Sequence, residues 1–97
     1  MTELARFFGL IVRLYYREHG VPHIHVIAGD DEAAISLVDG RIIEGSLPAP
    51  AFRLVMEWIY EHHQELREAW VMAQSGKRPK KVPPMKTRKI RKTWRKR

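Results

Sequence analysis

A chain of 97 residues, 44% hydrophobic and without cysteine, suffices for one modest core and excludes a disulfide framework and thiolate chemistry. Its formal charge of +7 hides a division: residues 1–76 hold six arginines, no lysine and eleven acids, whereas residues 77–97 hold twelve lysines or arginines and no acid. No apolar run approaches the roughly twenty residues that cross a bilayer, and the first, FFGLIVRLYY, is broken by Gly9 and Arg13 without a signal-peptide cleavage site, so a cytoplasmic, non-membrane protein is expected.

The first expected element is a strand over residues 8–16. Phe8, Leu10, Val12, Leu14 and Tyr16 share one face and Ile11, Arg13 and Tyr15 the other. REHGVP interrupts it, with Gly20 and Pro22 as punctuation. A second strand, 23–28, sets His23, His25 and Ile27 against Ile24, Val26 and Ala28. GDD turns the chain into EAAISLV, a third strand, and Asp39–Gly40 has the composition of a two-residue type I′ hairpin turn before a short fourth strand, RIIEG. From Pro48 to Ser75 the period becomes helical, with Ala51, Val55, Trp58, Ile59, Leu66, Ala69, Trp70 and Ala73 on one stripe, His62 near its middle, and Gly76 as a stop. The expected fold is α+β: a four-stranded antiparallel meander packed against one long C-terminal helix. This single domain spans residues 1–76, and residues 77–97 form a basic extension without apolar periodicity.

The stretch EHGVPHIHV places three of the five histidines within seven residues. On a strand, His23 and His25 point the same way. Aligning the aliphatic residues of the first two strands puts Ile24 and Val26 beside Leu10, Val12 and Leu14, and collects Arg13, Tyr15, Arg17, His23 and His25 on the opposite, open face. A slip by one residue would turn two imidazoles into the helix-facing core, which is costly without partners. Three readings follow. A His-x-His pair can chelate a metal, with His19 close in sequence, but spacing alone places no acid or further histidine to complete the ligand set. The pair can act as general base and acid on a phosphodiester, Arg13 or Arg17 holding the phosphate and Tyr15 or Tyr16 orienting it. Or the residues form a polar surface, facing outward with no metal and no cofactor, and this last is the reading adopted. His62, Trp58 and Trp70 are expected to be core residues.

Taken in order, RFFGLIVRLYYREHGVPHIHV, EGSLPAPAFRLVMEWIYEHHQELREAW and GKRPKKVPPM resemble the bacterial family called domain of unknown function 4160, over roughly Leu4 to Met85. Ile24 stands where that pattern has an aromatic residue between the two histidines, and residues 86–97 lie beyond it. The resemblance implies a small stand-alone protein encoded beside another, of the domain of unknown function 2442 type, in an arrangement like a toxin–antitoxin pair. It implies no catalytic residue.

Twelve positive charges in twenty-one residues form an electrostatic footprint for phosphates. The residues expected to contact RNA or DNA are Lys80, Lys81, Lys86, Arg88, Lys89, Arg91, Lys92, Arg95, Lys96 and Arg97, with Trp94 stacking on a base. Residues 86–97 have the spacing for a short helix with Ile90 and Trp94 on one side. The tail can instead fold back on the acidic helix flank of Glu57, Glu61, Glu65 and Glu68. The function expected is a nucleic-acid-binding and protein-interaction module of a toxin–antitoxin-like pair. The alternatives are a metal-independent ribonuclease using His23 and His25 with Arg13 and Tyr15, and a pure protein-interaction module.

Overall fold

Side chains alternate across a strand, so the apolar pattern of each segment selects the face it buries. In the computed structural model, which describes residues 2–16 and 18–86, this rule builds a five-stranded antiparallel meander in sequence order. Its strands are β1 (Thr2–Phe7), β2 (Leu10–Leu14), β3 (His23–Ala28), β4 (Asp31–Ser36) and β5 (Ile42–Gly45). Val12 pairs with Val26, and Val26 with Ala33, so Leu10, Val12, Leu14, Ile24, Val26 and Ile35 line one buried face. Two helices, α1 (Ala49–Glu61) and α2 (His63–Gln74), close that face with Val55, Trp58, Ile59, Leu66, Ala69, Trp70 and Ala73. The α+β class and the antiparallel meander are as expected. The counts of strands and helices are not.

The additional strand is β1, separated from β2 by a two-residue turn at Phe8 and Gly9 with φ of 48° and 80°. Positive φ at both central positions is the type I′ requirement, which Gly9 meets without strain and Phe8 meets at a cost. Two adjacent phenylalanines at the head of an apolar segment disguise that turn as strand interior. At Asp39–Gly40, where the composition favours such a turn, only Gly40 has positive φ. The loop runs over five residues there, closed by Gly40 N–H donating to the Ser36 carbonyl and by the Ser36 hydroxyl accepting from Val38 N–H.

The single long helix becomes two because His62 leaves helical geometry, with φ −115° and ψ 27°. A straight helix of that length would run about 37 Å against strands of about 20 Å. The bend keeps the apolar stripe over the sheet. Local side-chain bonds support it: the His62 Nδ1 and Glu65 carboxylate pair at 2.5 Å, and His63 Nε2 donates to the Leu37 carbonyl at 2.8 Å. His62 is half-buried against the Trp58 ring rather than central in the core.

Packed structure also continues beyond Gly76. Pro79 and Val82 are buried and Met85 packs on the core, a three-residue spacing that matches the repeat of a polyproline-type extended chain. Val82 N–H donates to the Leu4 carbonyl at 3.1 Å, and the buried Trp58 Nε1–H donates to the Pro83 carbonyl at 2.8 Å. Residues 77–86, expected to begin a basic extension of the 1–76 domain, thus pack along the core of that domain. Residues 87–97, including the expected short helix, lie outside the described residues, as does Arg17.

Two outcomes test this account. A chain ending after Met85 should retain the thermal transition of the full protein. One ending at Gly76 should lose roughly 3–5 kcal/mol, from Val82 burial and an orphaned indole N–H, as read by denaturant unfolding. Phe8→Asn should leave the fold intact and raise stability by about 0.5–1 kcal/mol, because asparagine tolerates the left-handed conformation; a loss of stability would show that the Phe8 ring contact outweighs its backbone strain.

Candidate functional site

The register that buries Ile24 and Val26 delivers His23 and His25 to the other face of β3. His25 lies between Arg13 and Ala34 on the neighbouring strands, and His23 is cross-strand from Ser36. The face expected for the two histidines is the one observed, but it is not bare surface. His23 is only 8% exposed, with the Trp70 indole 5.1 Å from its ring. The Tyr15 ring stacks on His25 at 4.3 Å and 12°. The expected outward, solvent-facing pair is corrected to an enclosed one, because α2 and the β2–β3 connection cover it.

That connection supplies a third group. Gly20 adopts φ 93°, reversing the chain before Pro22, whose carbonyl is anchored by Leu37 N–H at 2.8 Å. The reversal sets the Glu18 carboxylate over β3. Its Oε1 lies 3.0 Å from His23 Nε2 and 3.1 Å from His25 Nε2. One donor atom from each of Glu18, His23 and His25 falls within 4.8 Å of the others. Among the described residues, His19 and Arg13 are not part of that cluster.

The hydrogen bonds constrain what each nitrogen can do. A carbonyl oxygen only accepts, so the 2.8 Å contact between His23 Nδ1 and Val21 O requires a proton on Nδ1. Neutral His23 therefore turns an Nε2 lone pair toward Glu18. His25 Nε2 can donate to Glu18, and its Nδ1 lies 3.9 Å from Glu32. Arg13 is the cross-strand neighbour of both His25 on β3 and Glu3 on β1. The Glu3 carboxyl is held below its usual range chiefly by hydrogen bonding from Arg6, with smaller contributions from the charges of Arg6, Lys81 and Arg13.

The tail residues divide at Lys86. Lys77, Arg78, Lys80, Lys81 and Lys86 are exposed along the packed segment. Arg88, Lys89, Arg91, Lys92, Trp94, Arg95, Lys96 and Arg97 lie outside the described residues. Sequence spacing missed Glu18 and Trp70. Glu18 stands inside the histidine stretch itself, and the Gly20–Pro22 reversal was the signal that could have folded it onto the pair.

A meander closed by two helices, with a His–Glu–His cluster built on β3 and the β2–β3 connection and reached by Trp70 of α2, defines a small α+β protein with a candidate ligand site. The chain belongs to the family described as Domain of unknown function (DUF4160), whose model matches residues 9–71, well over half of its length. That match spans β2 to β5, α1, most of α2 and all three cluster residues. No curated protein and no solved structure matches the chain. No helix among the described residues is long and apolar enough to cross a membrane.

In the neutral form His23 should be the Nδ1–H tautomer, which long-range proton–nitrogen NMR correlations read directly. Observation of the Nε2–H tautomer would contradict the Val21 hydrogen bond.

Proposed function

We propose that this protein binds nucleic acid through its cationic C-terminal region and docks a small protein partner through its body, as one member of a toxin–antitoxin-like pair in the cytoplasm. The observation that supports nucleic-acid binding most is the way residues 77–86 are held. Pro79 and Val82 point inward as anchors while Lys77, Arg78, Lys80, Lys81 and Lys86 remain exposed. Among the described residues, no salt bridge engages these five side chains. A row of cations on a pinned backbone leads into eleven further residues that are mostly Lys and Arg. Such an array fits the phosphate backbone of RNA or DNA and carries little base preference.

A partner surface is favoured at the opposite edge of the sheet. The β1 edge receives Val82 N–H, whereas β5 is exposed throughout and has no strand beyond it among the described residues. Ile42 and Ile43 lie on that edge, with Val38 and Tyr60 also exposed, an apolar margin suited to strand addition. The partner type suggested by the family resemblance is a domain of unknown function 2442 protein. The metal-independent ribonuclease is less well supported, because Glu18 stands on both Nε2 atoms where a phosphate would have to sit, and like charges repel.

The test is fluorescence anisotropy with a generic single-stranded RNA and a duplex DNA. Raising salt from about 50 to 200 mM should weaken binding by orders of magnitude if six or more phosphates are contacted. Joint replacement of Lys80, Lys81 and Lys86 by glutamine should lower the salt slope by about 2–3, and a chain ending at Lys86 should bind far more weakly. Salt-insensitive binding, or full binding by the shortened chain, would defeat the proposal.

A further inference from the structure

Among the described residues, only His23 and His25 are histidines that share a carboxylate oxygen. We propose that Glu18, His23 and His25 form a binding site for one divalent first-row transition ion of the zinc type, held by Glu18 Oε1 and the two Nε2 atoms. The donor set is right for such an ion, since imidazole nitrogen and carboxylate oxygen are the ligands that zinc and its neighbours take.

The spacing fits as well. Donors about 2.0–2.2 Å from an ion, at angles between about 90° and 109°, stand about 2.9–3.4 Å apart. Glu18 Oε1 is 3.0 Å and 3.1 Å from the two nitrogens. Two of the three donor separations thus match those around a bound ion, and the third, within 4.8 Å, is set by rotation of the imidazoles.

The surroundings hold the ligands as metal ligands are held. A coordinating histidine characteristically donates its remote N–H to a carbonyl or carboxylate, which fixes the ring and raises its basicity. His23 does so to Val21 at 2.8 Å. Glu32 stands 3.9 Å from the remote nitrogen of His25, a separation that a small rotation or a water closes. Trp70 and Tyr15 restrict the two rings from outside.

The cluster is also unbalanced without a cation. With Nδ1–H committed to Val21, neutral His23 presents a lone pair to the lone pairs of Glu18 at 3.0 Å. A metal ion between the donors resolves this contact. One carboxylate against a divalent charge leaves a net positive centre. Three protein donors leave at least one coordination position for water or an anionic ligand.

The experiment uses the full chain, stripped with a chelator and titrated calorimetrically with Zn2+, and with Co2+ followed by its visible absorption. One equivalent should bind, with a rise in Tm and a Co2+ spectrum of nitrogen and oxygen coordination. Glu18→Ala and His25→Ala should each weaken Zn2+ at least about 100-fold, beyond the range typical of losing an outer-shell partner. His62→Ala, which removes the separate histidine–glutamate pair on the helices, should leave affinity unchanged. Glu18 lies in a connection rather than in a strand or helix, so if His25→Ala fails to fold by circular dichroism, Glu18→Ala alone decides. Failure of the intact chain to bind Zn2+, or binding that survives Glu18→Ala, overturns the assignment.

Discussion

The alternation of side chains along β3 is the constraint from which the rest of the molecule follows. Ile24 and Val26 are fully buried beneath the helices, so His23 and His25 are committed to the opposite face. A one-residue slip would exchange the two sets and bury two imidazoles in an aliphatic core, at several kcal/mol by typical desolvation costs. Pairing of Val12 with Val26 and of Val26 with Ala33 holds the register from both sides. The apolar core and the polar cluster are thus two consequences of one pattern.

Trp58 links the two ends of the chain. Its ring is wholly buried beside Phe7 of β1, and a buried indole N–H needs an acceptor. The Pro83 carbonyl provides it, which draws the segment after α2 back along β1. Val82 then bonds to Leu4 and shields that sheet edge. Because the anchors recur every third residue, the intervening lysines face water. A core requirement thereby orients the first cations of the basic region, and among the described residues it leaves β5 as the open edge.

The polar cluster has a different logic from the cationic segment. Its residues come from β3, the β2–β3 connection and α2, and its geometry depends on how these are mutually held. A pair of free imidazoles is suited to moving protons, but a carboxylate placed on both Nε2 atoms turns the pair into three donors around one point. Trp70 and Tyr15 enclose those donors and restrict their rings.

Much of this was legible from residues 1–97 alone. Period-two alternation in residues 10–14 and 23–28 specified two strands and their buried faces, the composition of EAAISLV a third strand, and the stripe through Val55, Trp58, Leu66, Trp70 and Ala73 the helical layer. These signals are local, since burial of a face needs only the spacing of apolar residues. The Phe8–Gly9 turn escaped because its first residue is apolar and in a backbone conformation phenylalanine rarely adopts. The bend at His62 escaped because periodicity continues across it. For the candidate site, composition and spacing identified His23 and His25 and their common face. Only the tertiary structure decided that Glu18 folds over them and that Trp70 encloses them, since a chain reversal and a packed helix bring together groups whose separation along the sequence says nothing of their distance in space.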